Sequence, residues 1–139
     1  MKTLHRILAG TVVLGLGVAT AVACAPAAVP GPRVPVTTST GTLADGATWT
    51  VETPAAWNGT LLLYSHGAVL PGAANPAVTA PDRFTGNVLL ERGYALAGTS
   101  YAGTGWAVEE ALDDQIAVLD TLPVRPREVL AWGRRWAGW

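Results

Sequence analysis

This 139-residue chain is poor in the residues that most often mark a site. It holds one cysteine, Cys24, so no intrachain disulfide can form. It holds one lysine, Lys2, beside eight arginines. Of its two histidines only His66 lies beyond the first few residues. Acidic and basic residues nearly balance at a net charge of −1. Without Lys2 and Arg6, seven Arg face ten acids, a balance of −3. Phosphate binding needs a basic surface, so nucleic acid is excluded as an expected partner. No cluster of His, Cys, Asp or Glu has metal-ligand spacing, and no cofactor is expected. Gly103-x-Gly105 lacks the third glycine and the spacing of a dinucleotide fingerprint. No internal repeat is visible.

What is present begins with an apolar leader. Lys2, His5 and Arg6 form a positive start, and Ile7 to Ala23 carry no charge. The apolar stretch Ile7 to Val18 is about a dozen residues with three glycines, short for a membrane span. Residues 1–24 therefore read as an export signal, and the mature chain is expected outside the cell membrane. Val22-Ala23-Cys24 resembles the bacterial lipobox, with Ala21 where Leu is usual, and makes Cys24 a candidate for lipidation and a lipid anchor. Ordinary cleavage near Ala23 or Ala25 is the alternative. A buried N-terminal helix would be a third reading, but the proline cluster that follows does not suit it. Four prolines fall between 26 and 35, and Thr and Ser follow. Residues 25–40 read as an extended linker, with the folded domain over 41–139.

Within that domain the pattern alternates between strand and helix. Asp45-Gly46 sits between two short alternating runs, which predicts a hairpin over 41–53. Asn58-Gly59 marks a turn. Thr60 to Ser65 is an unbroken apolar run, as expected of a strand covered on both faces. Arg83 to Arg92 is predicted helical, with Val88, Leu89 and Leu90 inward and Gly93 as its stop. Tyr94 to Thr99 is a second buried strand. Trp106 to Asp120 is the clearest helix: Val108, Leu112, Ile116 and Leu119 recur at offsets of four, four and three and are expected to face the core. Thr104 or Gly105 would cap it, and Glu109 and Glu110 suit its positive end. The acids Glu109, Glu110, Asp113, Asp114 and Asp120 fall mainly off that apolar face and read as a solvated surface. Glu128 to Trp132 is a third buried strand. Strands alternating with helices predict an α/β sandwich.

Three landmarks now carry a resemblance: Trp57-Asn58-Gly59-Thr60-Leu61-Leu62-Leu63-Tyr64-Ser65-His66-Gly67, Glu91-Arg92-Gly93-Tyr94-Ala95-Leu96-Ala97, and Ala131-Trp132-Gly133. In this order they make residues 45–138 similar to the secreted bacterial serine hydrolases of the α/β-hydrolase family, up to the turn that carries the nucleophile. The resemblance implies the N-terminal part of that sheet sandwich. It also implies hydrolysis of a small-molecule ester or amide by a Ser at a Gly-x-Ser-x-Gly turn, with a His oriented by an Asp or Glu. By resemblance one oxyanion N–H would come from Ala68, in the loop after His66 and Gly67, and the other from Trp136. His66 and Gly67 would then be structural residues of that loop, and Gly133 the first residue of the nucleophile turn.

The chain departs from the pattern at the decisive position. Arg135 stands where the resemblance puts the nucleophile, and Arg is protonated and no nucleophile. Its charge beneath an active site would also be unfavourable. The family's acid and His follow the nucleophile in chain order, and nothing follows Trp139 here. The expectation is a truncated, inactive member of the family. One lost nucleotide would account for both departures. A parent Gly-Arg-Ser-Leu-Gly-Gly-Leu written GGC CGC TCG CTG GGC GGG CTG G, less one C, reads GGC CGT CGC TGG GCG GGC TGG. That translates to Gly133-Arg134-Arg135-Trp136-Ala137-Gly138-Trp139. A GC-rich genome, which the Arg, Ala and Gly content suggests, makes those codons usual.

Two alternatives remain open at the level of sequence. The Arg- and Trp-rich tail would also suit an end that binds a membrane or a partner. The whole chain would suit a non-catalytic exported lipoprotein or binding module. A fragment left with strands such as Leu61 to Tyr64 exposed would not unfold cooperatively, whereas a selected binding module would.

Overall fold

The computed structural model describes residues 30–105, 107–122 and 125–134, with the Val108 side chain left out. The leader, Cys24, Arg135 and Trp136 lie outside the described residues. Five strands and two helices follow in the order β1 (Val36–Thr42), β2 (Thr48–Pro54), β3 (Thr60–Ser65), α1 (Arg83–Glu91), β4 (Ala95–Thr99), α2 (Val108–Thr121) and β5 (Glu128–Gly133). The strands form one mixed sheet in the order β1-β2-β4-β3-β5. β1 and β2 are antiparallel, as are β2 and β4; β3 runs parallel to both β4 and β5. This is an α/β arrangement.

The hairpin closes at Asp45-Gly46. Asp45 accepts the Ala47 N–H at 3.0 Å, and Leu43 and Ala47 close the loop backbone to backbone. β1 begins at Val36, so the sheet takes in the last residues of the Pro/Thr stretch that composition reads as linker. Thr and Val are good strand residues once a partner is beside them, and β2 supplies one along the full length of β1.

The two crossovers run in opposite directions across the sheet. β3 leads through α1 to β4 on one side; β4 leads through α2 back past β3 to β5 on the other. Crossovers of one hand then put the helices on opposite faces. Packing agrees. Gly86 of α1 lies beside Leu96, which is fully buried. Val118 of α2 joins Val51, Leu61, Leu63, Ala95 and Ala97 in the core of the opposite face. Asp82 caps α1 by accepting the Thr85 N–H at 2.8 Å, and Gly93 follows its end at φ 85°.

Leu61, Leu63 and Tyr64 are almost wholly buried, as the unbroken apolar run predicts, and β3 does not keep the open apolar face expected of a fragment. It is central, with a neighbour on each edge, α2 over Leu61 and Leu63, and Trp132 against Tyr64 on the other face. α2 departs from the sequence expectation in two places. First, it is turned away from its expected stripe. Leu112 and Ile116 are exposed, Leu119 is half-buried, and the buried residues are Asp114, Gln115 and Val118. A repeat of 3.6 residues accommodates both stripes, and polar anchors at Asp114 and Gln115 decide which one faces inward. Second, Ala107 rather than Thr104 or Gly105 occupies the cap position of α2, and no side chain among the described residues bonds the helix start.

Candidate functional site

In an open α/β sheet, the carboxyl ends of strands at a reversal of strand order diverge and leave a crevice. Here the reversal is at β3. Ser65-His66-Gly67 leave its carboxyl end, and Gly133-Arg134 leave that of β5 directly alongside. The Arg134 N–H still bonds Ser65 O at 3.3 Å. Gly133 is needed for that approach: a Cβ there would fall 2.7 Å from Ser65 O and 3.0 Å from Ser65 Cβ.

Above this junction is a cavity of about 450 Å³. Ser65 to Val69 form one wall, Tyr101 to Gly105 a second, and Ala111, Leu112 and Gln115 of α2 a third; Arg134 stands at the edge. Val69 and Gly105 pair as an isolated bridge, which ties the first two walls together. The lining is mainly apolar with a few convergent polar groups, as in small-molecule sites.

Those polar groups form one chain of hydrogen bonds. Gln115 Nε2 donates to Ser65 Oγ at 2.6 Å and lies 3.4 Å from Tyr101 Oη. Tyr101 Oη donates to His66 O at 3.0 Å. The His66 ring stacks on Tyr101, with centroids 4.1 Å apart and planes at 24°. His66 Nδ1 is 2.7 Å from Gly67 O, which makes Nδ1 the protonated nitrogen. Nε2 is buried without a partner among the described residues. His66 is thus oriented by its own loop and by Tyr101. Among the described residues it makes no hydrogen bond to a Ser hydroxyl or to a carboxylate.

Tyr101 is held at φ 58°, unfavourable for a bulky residue. Its two anchors to His66 and its 7% exposure account for its persistence. Burial raises its phenol pKa above the ordinary value, against the hydrogen bonds from Gln115 and Ser65.

A second polar group braces the same loop from below. Asp114 is 1% exposed and accepts the Ala102 N–H at 2.9 Å. It lies against Asp45 of the β1–β2 turn. Burial first, and then the Asp45 carboxyl, push the Asp114 pKa up to about 6. Asp45 is exposed and moves the other way, chiefly through its hydrogen bond with Asp114 and then through the Ala47 N–H. Asp114 is therefore not part of a solvated acidic surface, as the sequence pattern suggested. Glu109, Glu110, Asp113 and Asp120 are exposed.

The residues singled out from sequence fall as follows. His66, Gly67 and Ala68 line the cavity, and Gly133 lies beneath it against Ser65. Arg135 and Trp136 continue from Arg134 outside the described residues, as does Cys24 at the other end. Sequence reasoning missed Ser65, Tyr101, Asp114 and Gln115 as members of the site. The one available signal was Asp114-Gln115 spaced with Ala111 and Val118 on a helical stripe, a polar pair at core spacing. Among the described residues no three His, Cys, Asp or Glu side chains converge as a metal site, and no helix is long and apolar enough to cross a membrane. No family model matches the chain, and no curated protein is significantly similar to it.

Proposed function

We propose that this chain is built on the framework of the secreted α/β serine hydrolases and that, with Arg135 at the nucleophile position, it does not hydrolyse esters or amides. The observation that carries this reading is the meeting of two turns. The Ser65-His66-Gly67 end of β3 and the Gly133 end of β5 lie side by side at the strand reversal, beneath one cavity. That is where an oxyanion loop and a nucleophile turn have to meet for acyl transfer. The reading makes Ala68 and Trp136 the oxyanion donors. It makes His66 a structural residue, in keeping with its bonds to Gly67 and Tyr101. The substrates of the intact framework are small esters or amides, matched by an apolar cavity of about 450 Å³. Export through residues 1–24, with Cys24 as the site of any lipid anchor, belongs to the same proposal.

A formed cavity in which, among the described residues, no serine is hydrogen-bonded to a histidine also favours a second reading, an exported module that binds such a ligand and releases it unchanged. One pair of measurements addresses both. Purified chain incubated with p-nitrophenyl acetate is expected to release nitrophenol at the buffer rate. Turnover that disappears in Ser65→Ala or His66→Ala would overturn the assignment of both residues to structure. Titration with a non-hydrolysable apolar ester, followed by NMR, is expected to shift Val69, Ala111 and Leu112 if the chain is a binding module. No shift at those residues leaves the inactive-hydrolase reading alone.

A further inference from the structure

Two acidic side chains are buried among the described residues, and they are held differently. Glu52, at 7% exposure, faces the Arg83 guanidinium at 3.0 Å and accepts the Thr79 hydroxyl. Asp114, at 1% exposure, faces no cation. Its Oδ2 accepts the Ala102 N–H at 2.9 Å, and the side chain that meets it is a second carboxyl, that of Asp45. The titratable groups around it are Asp45 from the β1–β2 turn, Asp113 from α2 itself and Tyr101 from the loop after β4; β4 supplies none. Two carboxyl groups in contact, with no cation beside them, are stable as one acid donating its proton to one carboxylate. Burial decides which is which. Asp114, inside, is the acid; Asp45, in water, is the carboxylate.

This shared proton sits at the tip of the hairpin. At the base of the hairpin end a different attachment holds: the Thr48 N–H donates to Ser100 Oγ at 2.9 Å, and the Ser100 N–H donates to Thr48 O at 2.9 Å. Neither of those bonds depends on a titrating group. Between base and tip lies Ala47, at 0% exposure, whose N–H is accepted by Asp45 Oδ1 at 3.0 Å. Gly46, at φ 95°, gives the tip its backbone freedom.

We infer that the Asp45–Asp114 contact is a proton-operated latch, which fastens the β1–β2 turn onto α2 and the loop after β4 in acid and releases the turn, uncovering Ala47, toward neutral pH. Asp45 is the half that moves, because it stands on an exposed turn. Asp114 stays, within a 14-residue helix and bonded to Ala102. With both groups ionised, repulsion at contact distance and the burial of a second charge both favour the open turn. The sign follows from the direction of the shift. Asp114 is raised from 3.8 to about 6, so the latch is complete below the ordinary value and is lost as pH rises through about 6. Asp45 is shifted down and stays ionised across that window. Neither carboxyl lines the cavity beside Ser65, so the latch does not depend on what that cavity binds.

Backbone amide exchange of the full chain, resolved by NMR and corrected for the intrinsic rate at each pH, tests the latch. Protection of the Ala47 N–H is read relative to that of the Ser100 N–H, which cancels any change in global stability. The ratio should fall roughly tenfold between about pH 4.5 and about pH 7.5. Its midpoint should lie near 6. Asp45→Asn and Asp114→Asn each place an amide donor against the remaining carboxylate, so in both the ratio should stay high and flat. Asp45→Ala has no donor or acceptor for the latch, and its ratio should be low at both ends of the range. Circular dichroism reports whether each variant folds, and the midpoint and locality in the unchanged chain decide the matter if one does not. A ratio that does not change with pH, a midpoint near the ordinary carboxylate value, or a fall that persists in a folded Asn variant would each overturn the inference.

Discussion

β4 and β5 flank the same strand, run in the same direction and end in opposite situations. Both pair in parallel with β3. β4 is buried at all five positions, although its sequence is Ala-Leu-Ala-Gly-Thr. β5 has the more apolar sequence, Val-Leu-Ala-Trp between Glu128 and Gly133, yet only Trp132 is even half-buried. The difference lies in the neighbours. β4 has β2 on its other edge, α1 over Leu96 and α2 over Ala95 and Ala97. Gly98 lets the 68–82 loop pass directly against it, where a side chain would collide with Val78 O. Among the described residues β5 is paired on one edge and makes one aromatic contact, Trp132 against Tyr64 at 4.9 Å. Strand hydrophobicity states what can be buried; the surrounding layers state what is.

The largest expected effect sharpens that contrast directly. Leu96→Ala removes a fully buried side chain between α1 and the sheet and should cost about 3 kcal/mol in urea unfolding. Leu130→Ala, the same deletion on β5, should cost under ~1 kcal/mol when the chain is dilute. Similar losses at the two positions would mean that β5 is covered in solution by something beyond its one neighbour.

A smaller effect concerns the pH dependence of the β4 side. The folded pKa of Asp114 lies above its ordinary 3.8, at about 6, so protonation favours the folded chain. That contribution is complete below about pH 4 and is lost as pH rises through about 6, a change of roughly 1–3 kcal/mol. The lowered pKa of Asp45 acts with the opposite sign, and only as pH falls below its ordinary 3.8. Asp114→Asn should therefore remove a fall in stability between pH 4 and pH 7 that the unchanged chain displays. Parallel pH profiles for the two proteins would refute the buried position of the carboxyl.

The smallest effect probes the loop after β4. Tyr101→Phe keeps the ring on His66 but removes the hydroxyl bond to His66 O. A loss of about 1 kcal/mol is expected, with the His66 ring signals broadened in NMR. An unchanged spectrum would show that stacking alone orients the histidine.

Elements with a local signal were legible in the sequence. The Asp45-Gly46 turn, the unbroken run from Thr60 to Ser65, Gly93 after its helix and the strand from Glu128 all lie where short-range chemistry puts them. The inward face of α2 was not legible, because Leu112 and Ile116 make the more apolar stripe and are nevertheless outside. What turns the helix is a carboxylate held by Ala102 and an amide held by Ser65, twelve and fifty residues away in sequence. For the same reason His66 and Gly133 could be singled out from sequence, whereas Tyr101 and Gln115 could not.

By itself, then, the sequence determined the alternation of strands and helices and the glycines where turns and close approaches occur. Those depend on neighbours along the chain, on backbone freedom and on residue identity. Only the tertiary structure decided that β3 is central and β5 an edge, that Asp114 is buried, and that Ser65, His66, Tyr101 and Gln115 share one cavity wall. Burial and hydrogen-bond partnership are properties of what the chain brings together across long separations, and a periodic pattern accommodates more than one such assembly.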